Sequence, residues 1–158
     1  MIFEIKNYTP NDALPIADLY RSAVHAIDDK IYSKQQKEAW APTPPDYDFW
    51  QSRLQQKQPF VAWCDNTIVG FIELEPDGHI DCAYTHPGFQ QQGVMTALYH
   101  HLEQQAKKQK IPLLYVEASK AAHQFFENRG FETVKANRVK RNGETLINFS
   151  LQKKLMGL

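Results

Sequence analysis

Residues 80–96 read Ile80-Asp81-Cys82-Ala83-Tyr84-Thr85-His86-Pro87-Gly88-Phe89-Gln90-Gln91-Gln92-Gly93-Val94-Met95-Thr96, an alternating strand that runs through a loop into a helix. Pro87 disfavours αR geometry at His86 and closes the strand there. Gly93 lets main chain approach a ligand with no Cβ between them. The helix expected from Gln92 to about Lys108 puts Val94, Ala97, Leu98, His101, Leu102 and Ala106 on one face and ends in basic residues. A helix N-terminus leaves its first N–H groups without intrahelical partners and carries about half a positive charge. An anion suits it, so Gln90, Gln91, Gln92, Gly93, Val94, Met95 and Thr96 form a candidate phosphate-binding turn.

No Gly-Lys-Ser/Thr closes a P-loop, and a single glycine stands where a dinucleotide fingerprint needs three. The order strand, His86-Pro87-x-x-Gln90-x-x-Gly93, helix instead resembles the acyl-coenzyme A loop of the GCN5-related N-acetyltransferases, the GNAT family. A second segment, Leu114-Tyr115-Val116-Glu117-Ala118-Ser119 and then Ala122 to Phe131, is similar to that family's fifth strand and following helix. The resemblance implies a mixed α/β GNAT fold, a mostly antiparallel sheet of about seven strands with a parallel pair splayed at the cofactor and helices on both sides. It implies acetyl transfer from acetyl-CoA, as co-substrate and with no metal, to a primary amine of a small molecule or peptide by direct attack in a ternary complex. The main chain of Cys82, Ala83 and Tyr84 is then expected to hold the pantetheine arm like an added strand, and Ser119, Ala122 and Phe126 also fall to the cofactor.

The chain departs from the family pattern at several positions. Met95 stands where many relatives have a small residue and Gln91 where they have glycine, so the Met95 side chain must point away from the pyrophosphate. Phe126 replaces the tyrosine that in many relatives protonates the departing thiolate, and Ser119 replaces an asparagine. That acid role passes to Tyr84, Tyr99 or Tyr115, to water, or to nothing, because a thiolate leaves fairly well. These departures support a competing reading, a catalytically silent acyl-CoA-binding sensor.

A lysine-like amine with pKa near 10.4 is only about one part in a thousand neutral at pH 7.4, and only the neutral form attacks a thioester. The candidate bases are Asp81, ranked first because a carboxylate between Ile80 and Cys82 calls for a reason, then Glu117 and His86. A strand residue on a solvent face is the competing reading of Asp81, and a loop residue that of His86. The acceptor is expected between the first and second strands, where Tyr32 and Trp40 offer aromatic faces to an ammonium, with Glu73 behind the bases. The pattern Tyr32-Ser33-x-x-Gln36-x-x-x-Ala39-Trp40 resembles a bacterial GNAT subgroup of largely unassigned substrate.

Eighteen basic residues balance eighteen acidic ones across 158 positions, which gives no field for nucleic acid or an anionic membrane and enough chain for one core, so a single domain over 1–158 is expected. No secretion signal or membrane-spanning run is visible, and a cytoplasmic location is expected. Cys64 and Cys82 read as buried strand thiols, and Cys82 as lacking the basic helper that an activated thiolate needs. The histidines show no metal-ligand spacing. Arg141-Asn142-Gly143 marks a final hairpin, whose pairing across a two-fold axis would make a homodimer.

Overall fold

Alternation at the N-terminus gives β1 (Glu4–Asn7) in a computed structural model that describes residues 2–156. A 3-10 turn at Pro10–Asp12 is tied by Asp12 Oδ2, which accepts from the Thr9 N–H at 2.9 Å, and leads into α1 (Ala13–His25). Ile16, Leu19 and Ala23 lie on the buried face of α1. A capping box starts α2 (Lys34–Trp40): the Gln36 N–H donates to Ser33 Oγ at 3.1 Å, and the Ser33 N–H to Gln36 Oε1 at 2.8 Å. Asp46 caps α3 (Tyr47–Lys57) by accepting from the Phe49 N–H at 3.0 Å.

β2 (Phe60–Cys64), β3 (Thr67–Leu74) and β4 (His79–Thr85) form an antiparallel meander. α4 (Val94–Lys108) crosses over to β5 (Leu113–Ser119), which pairs parallel to β4. α5 (His123–Glu127) follows a turn at residues 120–122, where the Ala122 N–H donates to the Ser119 carbonyl at 3.1 Å. Its end is a Schellman arrangement at Gly130-Phe131: the Phe131 N–H reaches the Phe126 carbonyl and the Gly130 N–H the Glu127 carbonyl, both at 3.1 Å. β6 (Glu132–Arg141) and β7 (Glu144–Lys154) close the chain around Asn142-Gly143, both at positive φ.

The seven strands make one sheet in the order β1-β2-β3-β4-β5-β7-β6, with β4–β5 its parallel pair. α4 covers one face with Val94, Leu98, Leu102 and Ala106 against Ile72, Ile80 and Leu114. It lies so close to β3 that a Cβ on Gly70 would stand 2.8 Å from Val94 Cγ1. α1 and α3 cover the other face with Ile16, Trp50 and Leu54 against Phe71. Each fully buried aliphatic side chain contributes roughly 1.5–3 kcal/mol. No helix among the described residues is long and apolar enough to cross a membrane.

A β-bulge shapes the middle of the sheet. Ile72 faces Ala83 and Leu74 faces Ile80, so Asp81 and Cys82 together oppose Glu73. The extra residue changes the alternation: Ile80 and Ala83 pack on the α4 side, Cys82 and Tyr84 on the α1–α3 side.

Candidate active site

β4 and β5 pair through His79 with Tyr115 and Ile80 with Val116, then part. Past that fork β4 keeps β3 as partner to Thr85 and β5 keeps β7 to Ser119, so their inner edges face each other unpaired among the described residues. Backbone donors and acceptors left open in this way require a partner. A cavity of about 580 Å³ occupies the fork, lined by Asp81 to Tyr84 from β4 and Val116 to Ser119 from β5, with Ala122 and buried Phe126 beside them.

The turn that feeds α4 leaves its main-chain amides open. Gly93 sits at φ +89° and Gln91 at φ 59°, and the first intrahelical bond runs from the Ala97 N–H to the Gly93 carbonyl at 3.0 Å. The N–H groups of Val94, Met95 and Thr96 therefore lack helical partners, and no side chain caps them. Space is open there, with no heavy atom within 4 Å of where a Gly93 Cβ would stand. Met95 turns its side chain onto the apolar cluster under α4. Arg129, stacked 3.8 Å over Phe125, donates to Thr96 Oγ1 at 2.5 Å and brings a guanidinium to this turn.

The α3 side of the fork is dense in charge. Arg53 Nη2 reaches Glu73 Oε1 at 2.7 Å and Asp81 Oδ2 at 2.9 Å, and Lys57 Nζ reaches Asp81 Oδ2 at 2.8 Å and Glu75 Oε2 at 3.1 Å. His79 bridges two more carboxylates, Nδ1 to Glu75 Oε1 and Nε2 to Glu117 Oε1, each at 2.6 Å. Burial resists ionisation of Asp81, but the Lys57 hydrogen bond and the Arg53 charge outweigh it and hold the carboxyl below its ordinary value. Burial likewise opposes charge on His79, yet the hydrogen bonds to Glu75 and Glu117 raise its pKa. Burial lifts the Glu73 carboxyl against the pull of Arg53. Glu75, His79 and Asp81 are close enough to share a cation, and the Lys57 ammonium stands among them.

The GNAT acetyltransferase domain model matches residues 28–153. The chain belongs to the GNAT acetyltransferase family. It is 34% identical over 151 residues to the uncharacterized N-acetyltransferase YafP of Escherichia coli (strain K12), covering 96% of this chain and 95% of that protein. The GCN5-related N-acetyltransferase structure "Aminotransferase, Class-II" from Rhodopseudomonas palustris superposes with a TM-score of 0.90 at 32% identity, covering 98% of each chain. The PaiA N-acetyltransferase of Thermoplasma acidophilum, solved with coenzyme A, shares the fold at a TM-score of 0.77 and 20% identity over 98% of this chain and 99% of that one.

Within this GNAT frame, Asp81 and Glu117 both lie at the fork and line the cavity, as do Tyr32 and Trp40. Glu73 does not line it; fully buried, it sits behind as the counter-ion of Arg53. His86 lies outside the lining and caps a 3-10 turn at Pro87–Phe89, its Nδ1 accepting from the Gly88 N–H at 2.9 Å. Tyr32 is buried, its hydroxyl donating to the Ile147 carbonyl at 2.6 Å and accepting the Lys120 N–H at 2.9 Å. Of the substitute acids, Tyr84 lines the cavity, Tyr99 is buried in the apolar cluster under α4, and Tyr115 donates to Asp77. Cys82 requires a correction: a basic group does stand beside it, Arg53 Nη2 donating to Sγ at 3.3 Å. Burial still pushes the thiol well above its ordinary pKa, so no thiolate is available. Cys64 is half-buried rather than buried.

Arg53, Lys57 and His79 were not among the expected site residues: Arg53 and Lys57 stand four apart on one helix face, but which carboxylates they meet is set by pairing across the sheet.

Proposed function

We propose that this GNAT acetyltransferase moves an acetyl group from acetyl-CoA to a primary amine, small molecule or peptide, by direct attack in a ternary complex. The fork carries this reading: unpaired strand edges lead from the anion-binding turn to a cavity whose inner end holds carboxylates. The residues fit acetyl-CoA, with the Val94, Met95 and Thr96 N–H groups for phosphate oxygens and the Cys82 to Tyr84 main chain for the peptide-like arm. Acetyl-CoA supplies an activated thioester carbonyl and a thiolate leaving group.

Glu117 takes the proton from the acceptor ammonium. It is the more exposed of the two fork carboxylates, 43% against 29% for Asp81, and one of its oxygens is engaged, by His79. Asp81, with Arg53 and Lys57 both on Oδ2, is held ionised by them and fixes the charge around the fork instead. With that proton on Glu117, the neutral amine attacks the thioester carbonyl, the new C–N bond forms and the C–S bond breaks. Phe126 offers the departing thiolate no proton, so the second proton that the nitrogen sheds reaches it through water. Tyr32 and Trp40, packed edge-on with ring centroids 5.5 Å apart, form the aromatic wall for the amine.

Phe126 also supports the sensor reading, in which acyl-CoA binds without turnover. Thiol release from acetyl-CoA against a panel of amines and peptides decides between them. Acetyl-CoA binding by calorimetry with no acceptor-dependent thiol release across the panel would favour the sensor.

A further inference from the structure

Three arginines line the cavity on the acceptor side, Arg21 from α1, Arg53 from α3 and Arg141 at the end of β6. They differ in what neutralises them. Arg53 lies between Glu73 and Asp81. Arg21 Nε donates to the Thr43 hydroxyl at 2.8 Å, with no carboxylate in ion-pairing range among the described residues. The exposed Arg141 guanidinium has neither ion pair nor hydrogen bond among them. The acidic lining is already occupied: Asp81 by Arg53 and Lys57, Glu117 by His79, and Asp46 by the first turn of α3. Arg21 and Arg141 are therefore the lining cations with no carboxylate on them among the described residues.

Arg141 is held over the cavity by a pinned hairpin. Asn142 Nδ2 donates to the Ala39 carbonyl at 2.7 Å and Gln36 Nε2 to the Thr145 carbonyl at 2.9 Å, which seats the tip on α2. Register gives its distance from the fork. Glu117 pairs with Ser150 and Arg141 with Glu144, six residues apart along β7, roughly 20 Å of strand at about 3.3 Å per residue. The long side chains of Arg141 and Glu117 shorten that span from both ends. Trp40 and Tyr84, in edge contact with ring centroids 6.3 Å apart, give the same cavity an apolar wall. The Arg141 charge also reaches Tyr20, where it opposes the upward pull of burial on the phenol.

We infer that the acceptor is a primary amine carrying an oxyanion, carboxylate or phosphoryl, at the far end of an extended apolar spacer, with Arg141 as the residue that selects it. This rests on the acetyl-transfer reading above. A guanidinium pairs with either oxyanion through paired N–H donors, which an ammonium does not reproduce. An α-amino acid, with its two charges on one carbon, does not span the cavity.

The test compares matched amines with acetyl-CoA as donor: 6-aminohexanoate, its phosphonate counterpart, 6-aminohexanamide and hexylamine, with glycine as the short control. An anionic member is expected to exceed the amide and hexylamine in kcat/KM by at least tenfold, and the better of carboxylate and phosphonate names the group. Arg141→Gln is expected to reduce that preference at least tenfold, mainly through KM, and Arg141→Lys to restore part of it. Turnover of hexylamine or the amide equal to that of the anionic compounds, or an unchanged preference in Arg141→Gln, overturns the inference while leaving acetyl transfer standing. Failure of every amine to turn over counts against acetyl transfer, and calorimetric titration of the same compounds into protein loaded with coenzyme A then decides. Tighter binding of an anionic member, lost in Arg141→Gln, upholds the inference, and its absence overturns it.

Discussion

The two ends of the fork are made of different material. On the α4 side the site is main chain: open strand edges and the unpartnered amides of a helix start, with Gly93 at positive φ and Met95 turned onto the core. On the α3 side it is side chain: Arg53, Lys57 and His79 laced through Glu73, Glu75, Asp81 and Glu117. The first end should tolerate side-chain exchange and fail when its backbone is strained. The second should behave the opposite way.

The largest effect belongs to Arg53. Removing one partner of a buried pair leaves the other charge uncompensated, at a cost of about 3–5 kcal/mol. Arg53→Ala strands fully buried Glu73, so urea unfolding is expected to show a loss near the lower figure, because Asp81 keeps Lys57. A loss below about 1 kcal/mol would mean that the charged end is solvated like a surface and that the contrast is false.

Next is the base. Glu117→Gln is expected to lower kcat at neutral pH by about a hundredfold, the low end for general-base catalysis, and to leave coenzyme A affinity within about twofold. Asp81→Asn removes the partner shared by Arg53 and Lys57, so its loss is expected to appear in stability as well as rate. If Asp81→Asn alone abolished turnover at full stability, the roles of the two carboxylates would have to be exchanged.

The main-chain end is probed by Gly93→Ala. The space around its Cβ is open, so the variant isolates conformation from contact. Left-handed geometry costs a non-glycine residue about 1–2 kcal/mol, which corresponds to roughly five- to thirtyfold weaker coenzyme A binding by calorimetry if the strain is relieved in the free protein. Met95→Ala at the same turn is expected to leave that affinity within about twofold, since its N–H remains. Equal losses in both variants would show that side chains, and not main chain, grip the ligand.

The same division explains what could be read from the sequence. The main-chain end depends on local order, so Pro87, Gly93 and the amphipathic helix that became α4 were legible. The charged end depends on which residue meets which across the sheet. The bulge that places Asp81 and Cys82 together opposite Glu73 leaves no local mark, and without it neither α3 arginine nor lysine can be assigned a partner. Arg141 reads as an ordinary turn-flanking residue until Asn142 is seen anchored to Ala39 on α2. The turn that precedes α5 likewise rests on a distant contact, the Lys120 N–H donating to the Tyr32 hydroxyl.

The smallest expected effect concerns His79, which ties the charged end to the fork. Its folded pKa is raised, so its contribution to stability is fully present below the unfolded value of about 6.5 and is lost as pH rises through the folded value. Asp81, with a lowered pKa, contributes above about 3.9 and loses its effect only as pH falls below that, outside the same window. The stability gap between the parent protein and His79→Gln, measured by urea unfolding, is therefore expected to be wider at about pH 6 than at about pH 9. The variant leaves Glu75 and Glu117 facing each other without a cation between them at either pH, so the change in the gap, not its size, isolates the imidazolium. A gap of constant width would mean that His79 joins the carboxylates as a neutral hydrogen-bond bridge, and the charged end would then stop at Lys57, short of Glu117.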